Sequence, residues 1–230
     1  MKRMQKLPEI IFIDKPLHMT SFDVIRVLRK KTGIKKFGHA GTLDPLASGL
    51  MILGVENGTK KLTDYIKLDK EYLCEVRVGE SRTTGDLEGE IIEESEVAEI
   101  FSEEKISAVV AQLVGTLNLP VSAYSAIKID GKPMYERARE AEVTGEVVAE
   151  IPMREMAIFE AELLKHHAEV IDGKKRYVIK VRFHVASGVY IRSLAVELGR
   201  LLGYPATVQL LRRTKIADYK VEDAQQLDDF

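Results

Sequence analysis

Twelve residues constrain this chain more than any others: Gly38-His39-Ala40-Gly41-Thr42-Leu43-Asp44-Pro45-Leu46-Ala47-Ser48-Gly49. Their three glycines let the backbone take positive φ or approach another surface closely. Asp44-Pro45 reads as a turn or a helix start, since Asp caps well and Pro suits the first helical position. A glycine-rich connector with a capping aspartate would look the same, so the surroundings decide. Residues 26–36, just upstream, carry six basic side chains and no acid, whereas Leu50-Met51-Ile52-Leu53-Gly54-Val55 downstream is an apolar run of buried-strand type. A histidine and an aspartate therefore sit on a loop between a basic helix end and a core strand, and functional groups favour loops held by a rigid scaffold.

The rest of the chain reads as one α+β scaffold. Residues 9–13 are a strand candidate, and Thr20 or Ser21 then caps a helix with Asp23 in its first turn, Arg29, Lys30 and Lys31 in its last, and Gly33 beyond. Glu71 to Val78 alternates as a strand does and makes Cys74 a small core residue. Residues 88–104 hold eight acids and no base, so a polyanion should avoid them and meet residues 26–36. Residues 88–101 look irregular, and Ser102 caps a helix that Gly115 ends, with Ile106, Val109, Val110, Leu113 and Val114 on its buried face. Asp130-Gly131 and Asp172-Gly173 mark hairpin turns, the second within residues 165–185. His166 and His167 point to opposite faces of its first arm and read as surface histidines. A helix follows from Ile191, buried along Leu194, Ala195, Leu198, Leu201 and Leu202, which leaves Arg192 at its start, just off the core. A partly buried guanidinium calls for a carboxylate.

Among 230 residues no apolar run approaches the length of a membrane span, and the start of the chain lacks an apolar signal core. The single cysteine excludes an internal disulfide and fits a reducing cytoplasm. No Cys/His/Asp cluster has metal-ligand spacing, so neither a metal nor a cofactor is expected. The net charge of −2 identifies no partner; the local distribution of charge does.

The segment Gly38 to Gly49 resembles the catalytic motif of the TruB family of tRNA pseudouridine synthases, and further segments match it. These are Lys15-Pro16, Tyr124-Ser125-Ala126 through Tyr135 to Ala138-Arg139, Gly188-Val189-Tyr190-Ile191-Arg192-Ser193, and Leu211-Arg212-Arg213. Val121-Ser122 stands where the family usually has Pro-Pro, with Pro120 one residue earlier. The resemblance implies a mixed, mostly antiparallel central sheet flanked by helices, with an active-site cleft. It makes Asp44 the catalytic carboxylate, paired with Arg192. Tyr72 packs on the target base, while His39, Tyr190, Leu211 and Lys15 meet substrate or support the loop that does. Residues 1–230 would form one catalytic domain with an RNA-clamping insertion at about 118–152, in which Lys128, Lys132, Arg137 and Arg139 are phosphate contacts. The family's small C-terminal PUA domain is not part of this sequence.

The activity so implied is conversion of the T-loop uridine, position 55, of tRNA to pseudouridine by a cytoplasmic monomer that engages the T-arm stem-loop. That rearrangement breaks an N-glycosidic bond and rejoins the base through carbon. One carboxylate suffices, where glycosidases need two to protonate a leaving group and activate water. Asp44 would act as a nucleophile or as a base. The competing class is a non-catalytic RNA-binding or chaperone protein using the same groove. An acid placed among RNA phosphates argues against it.

Overall fold

The computed structural model of the protein describes residues 7–125, 127–129, 131–144 and 151–230, with the side chains of residues 139, 142 and 143 outside that description. Strand β1 (Ile10–Lys15) alternates half-buried and buried residues. Helix α1 (Ser21–Thr32) starts at a capping box, in which the Thr20 hydroxyl accepts the Asp23 N–H and the Asp23 carboxylate accepts the Thr20 N–H. Gly33 ends it in the left-handed region at φ 75°. Strands β2 (Phe37–His39) and β3 (Ala47–Val55) flank the motif loop, and Asp44-Pro45 forms a turn, with the Ala47 N–H donating to the Asp44 carbonyl at 3.0 Å. Strand β3 thus begins three residues before the apolar run, in Ala47-Ser48-Gly49, which has no strand propensity of its own. Helix α2 (Leu62–Ile66) leads to β4 (Lys70–Val78), where burial alternates as expected and Cys74 is fully buried.

Strands β5 (Glu80–Arg82) and β6 (Ile91–Glu94) form a hairpin whose second arm falls in the stretch 88–101 read above as irregular. Its apolar periodicity is absent because ion pairs hold it. Glu80 meets Arg82 at 2.8 Å and Arg176 at 3.5 Å, and Glu94 meets Arg176 and Lys174. Helix α3 (Glu103–Ala111) has the Ser102 cap, but it stops a turn early. Gly115 opens β7 (Gly115–Pro120) rather than closing the helix, and Val114 is exposed. Short β8 (Lys128–Ile129) and β9 (Lys132–Pro133) pair across the first Asp-Gly step, of which Asp130 lies outside the described residues and Gly131 has φ 81°. Helix α4 (Met134–Thr144) follows.

Strands β10 (Met153–Ile171) and β11 (Lys174–Val185) make the clear hairpin, with Asp172 and Gly173 at φ 51° and 75° as a type I′ turn requires. The first arm starts twelve residues before 165, because its opening six residues pair with β7 from Met153↔Pro120 to Ile158↔Gly115. His166 is half-buried, its Nδ1 2.9 Å from the Tyr177 hydroxyl, whereas His167 is exposed. Helix α5 (Ile191–Leu202) buries Ile191, Leu194, Ala195, Leu198 and Leu202 as expected, with Leu201 half-buried, and β12 (Ala206–Ile216) and β13 (Tyr219–Lys220) follow.

The chain forms two compact units: Met1–Leu73 with Phe183–Gly188 and Leu210–Phe230, and Cys74–Arg182 with Val189–Gln209. In the first the strand order is β1-β3-β12-β4-β11, with β2 beside β3 and β13 beside β12. Its core gathers Ala40, Leu50, Ile52, Leu62, Ile216 and Val221, and Phe12 stacks on Tyr219 at 4.9 Å. In the second the order is β12-β4-β11-β10-β7, with a core that includes Phe101, Ile106, Ile179, Leu194 and Leu198. The β3–β12 pair is parallel, while β1–β3, β2–β3, β7–β10 and β12–β13 are antiparallel, so the expected α+β class with a mixed, mostly antiparallel sheet holds. No helix among the described residues is long and apolar enough to cross a membrane.

The parallel β3–β12 pair admits only glycine at position 49. Gly49 has φ 112°, and a β-carbon there would stand 2.2 Å from the Arg213 carbonyl oxygen. Gly49→Ala is therefore expected to cost about 3 kcal/mol or more, from backbone strain and overpacking together, read as a lowered midpoint in urea unfolding.

Candidate active site

The motif loop is fastened at nearly every step between β2 and β3. The Ala40 N–H donates to the Ile52 carbonyl at 3.0 Å. The Gly41 carbonyl accepts from Arg213 Nη2 at 3.3 Å. Leu43 exchanges two hydrogen bonds with Ser21 at the start of α1: its N–H donates to the hydroxyl at 2.8 Å, and its carbonyl accepts from that hydroxyl at 3.1 Å. The Pro45 carbonyl accepts from the His18 N–H at 2.8 Å and from the Lys15 amine at 3.3 Å. Ala47, Ser48 and Gly49 then stand opposite Leu211, Arg212 and Arg213. Asp44 is half-buried, and the residues on both sides of it are anchored.

The anchors are largely buried cations. Lys15 is fully buried and its amine also donates to the carbonyls of Pro16 at 2.9 Å and Met19 at 2.6 Å. Arg213 is 1% exposed, and its Nε donates to the Leu50 carbonyl at 2.7 Å. Arg212, on the opposite face of β12, forks onto the Asp14 carboxylate at 2.8 and 3.0 Å. Lys70 is buried at the start of β4 and donates to the carbonyls of Ile66 and Leu68 and to the Ser187 hydroxyl. Burial, and then the charge of Arg213, push its ammonium down to about 8, against the opposing pull of Asp69. His39 is half-buried on β2, opposite Leu53. Burial first and Arg213 second hold its ring below the ordinary histidine value.

The first unit thus carries Lys15, His39, Asp44, Tyr72 and Leu211. Leu211 is nearly buried and stands opposite Ala47, three residues beyond Asp44, and Tyr72 is nearly buried on β4, the neighbour of β12. The Lys15 amine points into the protein, at the carbonyls around the motif turn.

The second unit carries Tyr190 and Arg192 at the start of α5, with Tyr190 as the N-cap residue. Arg192 is buried, deeper than the position just off the core that the helix pattern suggested. Its guanidinium donates to the Thr84 carbonyl at 2.8 Å, the Ser122 hydroxyl at 3.0 Å and the Tyr124 carbonyl at 3.2 Å. The Ser193 hydroxyl donates to the Pro120 carbonyl at 2.6 Å. The Tyr-Ile-Arg-Ser turn is therefore locked to the segment 120–124 that opens the expected insertion. Ser122, where the family usually has proline, supplies one of those contacts.

Sequence reasoning missed Ser21 and Arg213 as parts of the site. A serine at the first position of a helix and the second arginine of a pair on a strand carry no chemical signature alone. The signal for Arg213 was its phase: it shares a face with Leu211, two residues before.

A glycine- and histidine-bearing loop that fixes one aspartate, beside a parallel strand pair in a mixed sheet, defines an α+β catalytic domain of the pseudouridylate synthase class. The profile described as TruB family pseudouridylate synthase, N-terminal domain, matches residues 29–191, and the chain belongs to that family. It is 38% identical over 222 residues to the tRNA pseudouridine synthase B of Corynebacterium efficiens, covering 96% of this chain and 71% of the relative. It is 41% identical to that of Leifsonia xyli, covering 95% and 70%. A chain in the crystal structure of a Cbf5–Nop10–Gar1 complex superposes with a TM-score of 0.68 at 25% identity, over 96% of this chain and 52% of that one. This chain thus spans about half the length of that solved relative.

Lys70 gives the site a pH signature. Its folded-state value of about 8 lies below the ordinary 10.5, so the unfolded chain binds more protons between those two values, and stability rises with pH across that window. Lys70→Met is expected to flatten the rise, measured as the difference in unfolding free energy between variant and wild type at pH 7, 8.5 and 10.

Proposed function

We propose that this chain converts the T-loop uridine of tRNA, position 55, to pseudouridine, with Asp44 as the catalytic carboxylate. The observation that carries the reading is Asp44 itself, half-buried between two anchored residues in a chain of this family. The relatives named as tRNA pseudouridine synthase B support the choice of substrate.

On this reading the uridine leaves the RNA stack, at a cost of a few kcal/mol recovered by contacts in the pocket. Asp44 then attacks C1′ or removes the 2′ proton, the C1′–N1 bond breaks, and the uracil turns; C5 bonds to C1′ as the carboxylate leaves or the 2′ proton returns, and C5 loses its proton while N1 gains one. Arg192 pairs with Asp44 and keeps it ionised, as an adjacent opposite charge does. Tyr72 packs on the base, Tyr190 and Leu211 border the nucleoside, and His39 holds the flipped conformation. Lys15 acts on substrate indirectly, by holding the Pro45 carbonyl.

Phosphates are met by the basic run 26–36 and by the insertion 118–152. Within the insertion Lys128 is exposed, Lys132 pairs with Glu140, Arg137 donates to the Ile129 carbonyl at 2.5 Å, and the side chain of Arg139 lies outside the described residues. Phe22 belongs to this RNA face. It is 54% exposed, the guanidinium carbons of Arg26 and Arg29 lie 5.6 and 5.7 Å from its ring centroid, and its neighbour Ser21 holds Leu43. An aromatic ring among arginines is a stacking platform for nucleobases.

The decisive experiment incubates the protein with an unmodified T-arm hairpin and maps pseudouridine. Wild type is expected to modify one uridine. Asp44→Asn is expected to fall below about a thousandth of that rate while still binding the hairpin. RNA retention by wild type without product would leave only the binding reading. Phe22→Ala is expected to weaken hairpin binding by about 1–3 kcal/mol with the rate at saturating RNA kept, measured by titration at fixed salt.

A further inference from the structure

We infer that Arg213 is a positioning residue for the reaction, a buried cation that holds the motif loop and the His39 ring in working register from behind. The inference rests on the reading of this loop as the seat of the catalytic carboxylate. Three observations carry it.

The first is the fork. Arg213 is 1% exposed, and its guanidinium spans the loop, with Nη2 on the Gly41 carbonyl at 3.3 Å and Nε on the Leu50 carbonyl at 2.7 Å. Those two carbonyls bracket the segment that contains Asp44. The planar guanidinium supplies both donors in one rigid fork.

The second is the approach. A β-carbon at Gly49 would collide with the Arg213 backbone, and one at Gly41, which has φ 115°, would lie at ordinary contact distance, 3.7 Å from Arg213 Nη1. The close approach of bare backbone at Gly49 thus fits the motif to the strand that carries the arginine.

The third is the charge. Both Arg213 hydrogen bonds given above end on neutral carbonyls, and its positive charge is felt by neighbouring cationic groups. Burial of the His39 ring first and the charge of Arg213 second lower its affinity for a proton, while the Gly41 backbone raises it. Arg213 thus acts on His39 through space, and it holds Gly41, two residues further on, by a hydrogen bond. A neutral ring keeps one nitrogen as an acceptor, whereas a charged ring has donors only. Leu211, two residues before on the same face of β12, puts the reading's base-contacting side chain in register with this clamp.

Two variants of the full chain separate the parts. Arg213→Gln removes the charge and keeps an amide donor, while Arg213→Lys keeps the charge and loses the fork. The His39 ring is followed by NMR titration, with no RNA present, and turnover is followed on the T-arm hairpin. In wild type His39 is expected to titrate below 6.5. It should move up toward that value in Arg213→Gln and stay low in Arg213→Lys. Both variants should lose on the order of tenfold to a hundredfold in kcat, as a small misplacement of reacting groups does, with KM for RNA within about threefold of wild type.

A folded Arg213→Gln with an unmoved His39 midpoint would overturn the charge role. Wild-type kcat in Arg213→Lys would overturn the clamp, and that outcome decides even if Arg213→Gln does not fold. A rise in KM with kcat unchanged would make Arg213 an RNA contact and also overturn the inference. A wild type without turnover would defeat the functional reading instead, and the titration would still decide whether Arg213 governs His39.

Discussion

A cation solvated by backbone carbonyls is the interaction on which the site depends. Lys15, Lys70 and Arg213 are all buried in the first unit, and their ammonium or guanidinium groups donate to peptide carbonyls of the turns around them. Taking a charge out of water costs several kcal/mol, and carbonyl dipoles return that cost only when several converge. Each cation therefore dictates where the carbonyls around it must lie. The Pro45 and Gly41 carbonyls are fixed in this way, and the Ser21 hydroxyl fixes Leu43 between them. Asp44 inherits its position from these neighbours. The depressed proton affinities of Lys70 and His39 come first from their burial and second from the charge of Arg213, since a charge solvated by dipoles still repels other cations.

The second unit uses the same device for a different segment. The Arg192 guanidinium draws in the carbonyls of Thr84 and Tyr124 and the Ser122 hydroxyl, so the start of α5, the turn at Gly85 and the strand end at Pro120 share one anchor. A β-carbon on Gly85 would stand 3.4 Å from the Arg192 β-carbon, so this turn too is glycine where it meets the arginine. Arginine suits both places because its planar fork reaches two or three acceptors with one side chain.

What the sequence made legible and what it hid divide along these lines. Helix α1 was readable to its caps, because Thr20, Asp23 and Gly33 act on their own helix and need nothing distant. The β10–β11 turn was readable because Asp172-Gly173 demands positive φ locally. The burial of Tyr72, Cys74 and Arg192 followed from period and phase. Three things were not readable. The β5–β6 hairpin exists through Glu80, Glu94 and Arg176, partners up to 96 positions apart, while its own residues carry no strand pattern. The opening of β10 is a strand because β7 pairs with it, and that of β3 because β12 does. Arg213 read as the tail of a motif, since nothing in a linear sequence shows which carbonyls a side chain will find. Local rules mark where elements start and stop, and long-range hydrogen bonds decide which loop stays rigid.

That rigidity bears on energetics more than any single contact does. Fixing the backbone of one residue costs roughly 1–2 kcal/mol, so ordering a loop of a dozen residues during RNA binding would cost on the order of ten kcal/mol. Swinging a uridine out of its stack costs only a few. A mobile loop would therefore make its own ordering, not the base, the larger obstacle. Here that cost is met when the chain folds, through buried side chains that need no RNA: Lys15, Ser21 and Arg213. On the proposed reading, binding energy from the basic run and Phe22 is then left for the base, and a single carboxylate held in place can serve both bond cleavage and rejoining without a second acid to organise.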